Sequence, residues 1–168
     1  GALQSRQFTP AIEQLSTRYK LPRDANSWQL SAFNFREALL LAHLLLESGA
    51  REEGRTRLGQ VIQWIDANSY LGPVYNLRTK AQALALLGED EEALAWLAES
   101  FRQKDFTQWW YTLQFDPAWE RLRDDPRFLK IVAAVRGHVA AEHQRLEKMR
   151  RDGQVPDRSV ALASLQPP

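Results

Sequence analysis

The amino-acid sequence predicts an all-α fold, and three observations carry that expectation. Apolar residues recur at helical spacing along most of the chain, no segment shows the two-residue alternation of a strand, and a pattern of small, large and glycine residues returns after 39 positions. The chain has 168 residues, enough for one domain with a sizeable core and hardly enough for two. Hydrophobic residues make up 44% and charged residues 26%, the composition of a globular protein rather than a disordered one.

The elements follow in order. Thr9-Pro10 reads as an N-cap and first helical position, with Ile12, Leu15 and Tyr19 at helical spacing until Pro22 stops the helix. A polar stretch, Arg23 to Ser27, separates this lead-in from the main body. From Ala32 to Ser48 the residues favour helix and are apolar nearly all round, as a central helix covered on several sides requires, and Gly49 ends it. Glu52 to Asn68 sets Leu58, Val61, Ile62 and Ile65 on one stripe, and Asn68 through Pro73 supplies turn residues. A third helix of the main body is expected from about Tyr75 to Leu87, stopping at Gly88, and a fourth from Asp90 to about Gln103, burying Leu94, Leu97 and Phe101. Asp116-Pro117 and Asp125-Pro126 each read as an N-cap followed by a first-position proline, so two helices start there. The later one runs to about Arg151 as a long capping helix, with Lys130, Arg136, Arg145, Lys148 and Arg150 on its polar face. This gives a lead-in helix and linker over 1–27, a helical repeat domain over 28–153 and a flexible tail over 154–168.

Internal repetition decides between a plain bundle and copies of one unit. Ala42, Leu45, Gly49, Gly54 and Leu58 align with Ala81, Leu84, Gly88, Ala93 and Leu97, each pair 39 positions apart. A small residue in the first helix lets the second approach, the glycine provides a left-handed turn, and a small residue early in the second helix receives the crossing. A large apolar residue four positions on fills the remaining space.

This spacing resembles the tetratricopeptide repeat (TPR) family, whose unit is a helix–turn–helix of about 34 residues. The best unit is Val74 to Phe101, in which Ala81, Leu84, Gly88, Ala93, Leu97 and Ser100 stand at the family's small and large positions. It departs from the family at Leu77, where an aromatic is usual, at Lys80, where a leucine is usual, and at Asp105, where a proline closes the repeat. The resemblance covers roughly Phe35 to Gln103 and implies a short TPR-like stack of antiparallel helix pairs. A second stretch, Phe115 to Val135, resembles the closing segment of TPR regions in bacterial signalling proteins: winged-helix transcription regulators of the CadC type, class III nucleotide cyclases and some kinases. Asp116-Pro117, Trp119, Leu122-Arg123 and Asp125-Pro126-Arg127-Phe128 carry it. It implies a sensory or docking part of a larger bacterial regulator, cytoplasmic or periplasmic, whose effector is expected upstream, and Gly1 in place of Met fits a cleaved tag or an excised fragment.

The charge balance, 22 basic against 21 acidic residues, provides no field to gather nucleic acid, so none is expected as a partner of this region. The longest apolar stretch, Ala38 to Leu46, is interrupted by His43 and falls short of the roughly 18 residues of a membrane-spanning helix, so no membrane insertion is expected. Cysteine is absent, which excludes disulfides and thiolate metal sites. No phosphate-binding loop, nucleophile elbow or zincin motif occurs, and the three histidines, His43, His138 and His143, do not form a ligand set on helical geometry. The expectation is a non-catalytic module without cofactor or metal, with a protein or peptide as partner, and a homodimer through the exposed end of the array is compatible with so few repeats. The alternative is a small-ligand sensing domain.

The family resemblance places a binding surface on the concave face lined by the first helix of each pair: Arg36, Leu39 and His43 from one unit, and Tyr75, Arg78 and Gln82 from the next. The two arginines suit a peptide carboxylate, or simply pair with neighbouring acids. Trp109, Trp110, Tyr111, Phe115 and Trp119 form the other cluster. Aromatics this dense are expected to fill a core where repeats are irregular, and an exposed pair among them marks an interface or a ligand pocket.

Overall fold

The structure is a computed structural model that describes residues 2–23, 26–68 and 73–155, without the side chains of 2–7 and 73–75. Among the described residues every regular element is helical: α1 (Ala2–Arg18), α2 (Phe35–Glu47), α3 (Arg51–Ala67), α4 (Pro73–Leu87), α5 (Asp90–Arg102), α6 (Trp109–Phe115), a 3₁₀ helix (Pro117–Leu122) and α7 (Pro126–Arg151). The chain divides into two compact units, Gly1–Leu129 and Lys130–Pro168, and α7 runs from one into the other. None of the helices is long and apolar enough to cross a membrane.

In the first unit α2 packs on α3, α4 on α5, and α3 on α4, so two helix pairs stack, with α1 against α2 and the 3₁₀ helix against α4. The apolar all-round character of α2 has its reason here. Phe35, Ala38, Leu41, Ala42 and Leu45 are buried in one cluster with Leu58, Val61 and Ile65 of α3 and Ala83 of α4. Each fully buried leucine contributes roughly 1.5–3 kcal/mol. The same cluster takes in Ile12, Leu21 and Trp28, so the lead-in segment shares the core of the helix pairs.

The 39-residue copy is a copy of geometry. Gly49 and Gly88 both take φ +93°, and the bonds Gly49 N to Leu46 O and Ala50 N to Leu45 O recur as Gly88 N to Ala85 O and Glu89 N to Leu84 O. This is the Schellman closure, in which a left-handed residue lets two orphaned carbonyls accept. The same closure ends α1 at Lys20 and α5 at Lys104, where the sequence offers no glycine. Gly54 serves a different need, close approach: a Cβ there would stand 2.7 Å from Leu46 and 2.9 Å from the Ala42 carbonyl.

Two readings require correction. The first helix does not begin at Thr9-Pro10: α1 extends back to Ala2 with Pro10 inside it. Residues such as Ala2, Leu3 and Gln4 favour helix enough to outweigh the one hydrogen bond that Pro10 cannot donate. Residues 109–115, read only as an aromatic cluster, form a helix of their own. The turn expected over Asn68 to Pro73 and the tail beyond 155 fall largely outside the described residues.

The two Asp-Pro starts are real caps. Asp116 Oδ1 accepts from Ala118 N at 3.0 Å, and Asp125 Oδ1 from Arg127 N at 2.8 Å. Beyond the unit boundary α7 carries its own ion pairs, Glu142–Arg145, Glu147–Arg150 and Lys148–Asp152. Lys130, Arg136, Arg145 and Lys148 are exposed, and Arg150 is half-buried.

Two predictions follow from this packing. Gly54→Ala forces α3 off α2 and destabilises by about 1–3 kcal/mol, whereas Gly59→Ala in the same helix, where an added Cβ meets nothing within 4 Å, is neutral or stabilising by up to about 1 kcal/mol. Urea unfolding of the two variants separates them. At Asp125, hydrogen bonds from the Arg127 side chain and backbone hold the carboxyl at about 2, below its ordinary 3.8. A depressed acid contributes stability that is fully present above the unfolded value and is lost as pH falls through the folded one. Asp125→Asn therefore flattens the acid limb of stability between pH 3.8 and about 2, as thermal melts across that window will report.

Candidate functional site

A cleft of about 320 Å³ opens between α2, α4 and the segment from α6 to the 3₁₀ helix. From α2 come Arg36, Leu39, Leu40 and His43, which the helical repeat sets on one face. From α4 come Arg78, Thr79, Gln82 and Leu86, again on one side of the helix. Gln108, Tyr111, Thr112, Asp116, Pro117 and Ala118 close the third side.

Five of the residues expected on a concave face, Arg36, Leu39, His43, Arg78 and Gln82, are thus brought together around one cleft. Tyr75, assigned to the same face, lies in the first turn of α4 and its side chain is outside the described residues.

The cleft is fastened on its far side by two polar contacts from α4. Arg78 Nη1 donates to the Thr107 carbonyl at 2.6 Å and lies 3.5 Å from Asp105 Oδ1. Asp105 is completely buried, and its Oδ1 also accepts from Thr107 N. Arg78 is therefore partnered by a neighbouring acid, one of the two roles the sequence left open for it, while still lining the cleft. Gln82 Nε2 donates to Asp116 Oδ2 at 2.5 Å, so the cap of the 3₁₀ helix is also tied to α4. On the other wall, His43 Nε2 stands 3.6 Å from Glu47, and the Arg36 guanidinium lies over the Phe35 ring at 5.5 Å.

The departures from the repeat pattern have structural uses. Lys80 is buried where a leucine would sit, and its ammonium is answered by Asp66 at 2.5 Å and by the face of Trp96 at 4.2 Å. Asp105, in place of a closing proline, supplies a backbone N–H to Ser100 O that a proline could not.

The aromatic cluster divides. Trp119 is fully buried and lies 5.8 Å from Phe128, as a core aromatic should. Trp109 is half-buried. Trp110, Tyr111 and Phe115 are exposed, which corrects the expectation that the whole cluster fills a core. The reason is α6 itself: it buries only Thr112 and Leu113, and its other faces point outward. Sequence reasoning also missed Leu40, Thr79, Leu86 and the Asp116-Pro117-Ala118 wall. The helical period from Arg36 and His43 reaches Leu40, but the third wall belongs to a segment outside the repeat.

Among the described residues no group of three or more His, Asp or Glu side chains is placed to hold a metal ion. His43 lines the cleft, whereas His138 and His143 lie on α7 in the second unit. Comparison with family models, with curated proteins and with solved structures returns no match.

Removing Arg78 leaves Asp105 buried and uncompensated, so Arg78→Ala is expected to cost about 2 kcal/mol or more. Asp105→Asn in the same chain recovers part of that loss, and a double-mutant cycle by denaturant unfolding measures the coupling.

Proposed function

We propose that this chain is a non-catalytic docking module that binds a peptide segment of a partner protein in the cleft between α2 and α4. The observation that carries the reading is the lining of the cleft. Apolar side chains, Leu39, Leu40, Leu86 and Tyr111, stand beside hydrogen-bonding and cationic ones, Arg36, His43, Arg78 and Gln82, around one open cleft. Mixed, open surfaces of this kind on stacked helices suit extended peptides, with the polar groups fixing register and the apolar ones supplying contact area. The resemblance of Phe35–Gln103 to TPR units supports the same reading. The likeness of Phe115–Val135 to the TPR tails of bacterial signalling proteins supports a place within a larger bacterial regulator, including regulators of transcription.

A second reading has one observation in its favour. The cleft volume, about 320 Å³, falls at the small end of ligand pockets. A small-ligand sensor is therefore the alternative, and the exposed Trp110 beside Tyr111 provides its optical reporter.

The test is selection of a random linear-peptide display library against the immobilised protein and against an Arg36→Ala/Leu40→Asp variant. Both positions are solvent-exposed, so the variant keeps its helicity by circular dichroism. Peptides enriched on the parent and lost on the variant support docking. No enrichment on the parent, or enrichment equal on both, overturns it.

A further inference from the structure

The third wall of the cleft is held less firmly than the other two. Helix α6 has seven residues and buries only Thr112 and Leu113. Trp110, Tyr111 and Phe115 are exposed, so most of its aromatic surface does nothing to hold it down. A helix of two turns is not stable by itself in water. Its N-cap, Gln108, makes no side-chain capping bond and sits in the left-handed region at φ +49°, ψ +32°. For a residue with a Cβ that backbone is strained, and no glycine relieves it here.

The segments on either side of α6 are firmly placed. Before it, Phe101 closes α5 in a buried position and Asp105 is completely buried. After it, the 3₁₀ helix buries Ala118, Trp119 and Leu122 and packs against α4. Polar contacts pin the two ends of α6: Arg78 Nη1 donates to the Thr107 carbonyl at 2.6 Å, and Gln82 Nε2 to Asp116 Oδ2 at 2.5 Å. Between the pins, Arg123 donates to the Gln114 carbonyl, and Leu113 is the one large buried apolar side chain. Such hydrogen bonds contribute little net, because water offers the same groups partners once the helix lifts. Releasing them with one leucine therefore costs far less than opening the core, where Leu41, Leu45, Leu58 and Val61 are fully enclosed together.

We propose that α6 is a lid, opening and closing as a local unit that turns at Gln108 and Asp116 while the helix pairs stay folded. Opening takes Tyr111 and Thr112 away from the cleft and leaves Arg36, His43, Gln82 and Leu86 on the walls that remain. The lid thus sets access to the cleft. This stands apart from what the cleft receives, and the failure of either reading leaves the other in place.

Native-state hydrogen exchange of the whole chain, read by mass spectrometry at rising sub-denaturing urea, tests it. The amides of residues 112–115 report the closed lid, Thr112 N through its bond to the Gln108 carbonyl at 3.0 Å. They are expected to exchange about a hundredfold faster than those of Leu41 to Leu45, yet more slowly than an unstructured peptide. Their rate should rise little with urea, because a local opening exposes little surface, while the core rate rises steeply. Gly54→Ala, which loosens α3 against α2, should speed the core amides and leave those of 112–115 unchanged. Leu113→Ala should speed exchange at 112–115 by about tenfold or more. Amides at 112–115 that match the core in rate and urea slope, or that quicken equally with Gly54→Ala, open only when the whole unit unfolds and overturn the proposal. Exchange there at the rate of an unstructured peptide, or no response to Leu113→Ala, leaves no closed lid anchored by that leucine and overturns it as well.

Discussion

The closeness of α3 to α2 at Gly54 is the constraint on which the rest of the first unit depends. With no side chain at that position, α3 lies against the Ala42 carbonyl and Leu46, and the two helices share one apolar seam through Leu41, Leu45, Leu58 and Val61. That closeness is set up one turn earlier by Gly49, whose left-handed backbone reverses the chain within a Schellman closure. Ala93 and Gly88 repeat the arrangement in the next pair, with alanine in place of glycine at the crossing. Two pairs built alike then stack through α3 and α4.

The cleft is a consequence of that stacking together with a polar clamp. The α2 and α4 faces furnish two walls, but a third is needed to make a cavity of them. It is held in place by Arg78 reaching Asp105 and Thr107, and by Gln82 reaching Asp116. Two of the residues that line the cleft therefore also hold it open. The difference matters when choosing variants: Arg36 and Leu40 are exposed, so replacing them tests the proposed docking, whereas replacing Arg78 also takes the partner of the buried Asp105.

Much of the architecture was legible because it is local or periodic. The Asp116 and Asp125 caps, the Gly49 and Gly88 turns and the buried stripe of α3 each follow from residues within a turn or two of one another. Five of the positions that the repeat resemblance assigned to a concave face, Arg36, Leu39, His43, Arg78 and Gln82, line the one cleft. The left-handed turns at Lys20 and Lys104 were not legible, since lysine gives no sign of positive φ; the hydrogen bonds of the closure impose it.

The sequence alone determined the helical class, the two-fold copy of the helix pair and most helix ends, because hydrophobic period, small-residue spacing and capping chemistry are written in neighbouring residues. Only the tertiary structure decided which aromatics are core and which are surface. Trp119 is enclosed by its neighbours while Trp110, Tyr111 and Phe115 stand on the open side of α6. It also decided that Arg78 spends its charge on Asp105, because burial and long-range pairing depend on which helices meet, and composition and spacing carry no record of that.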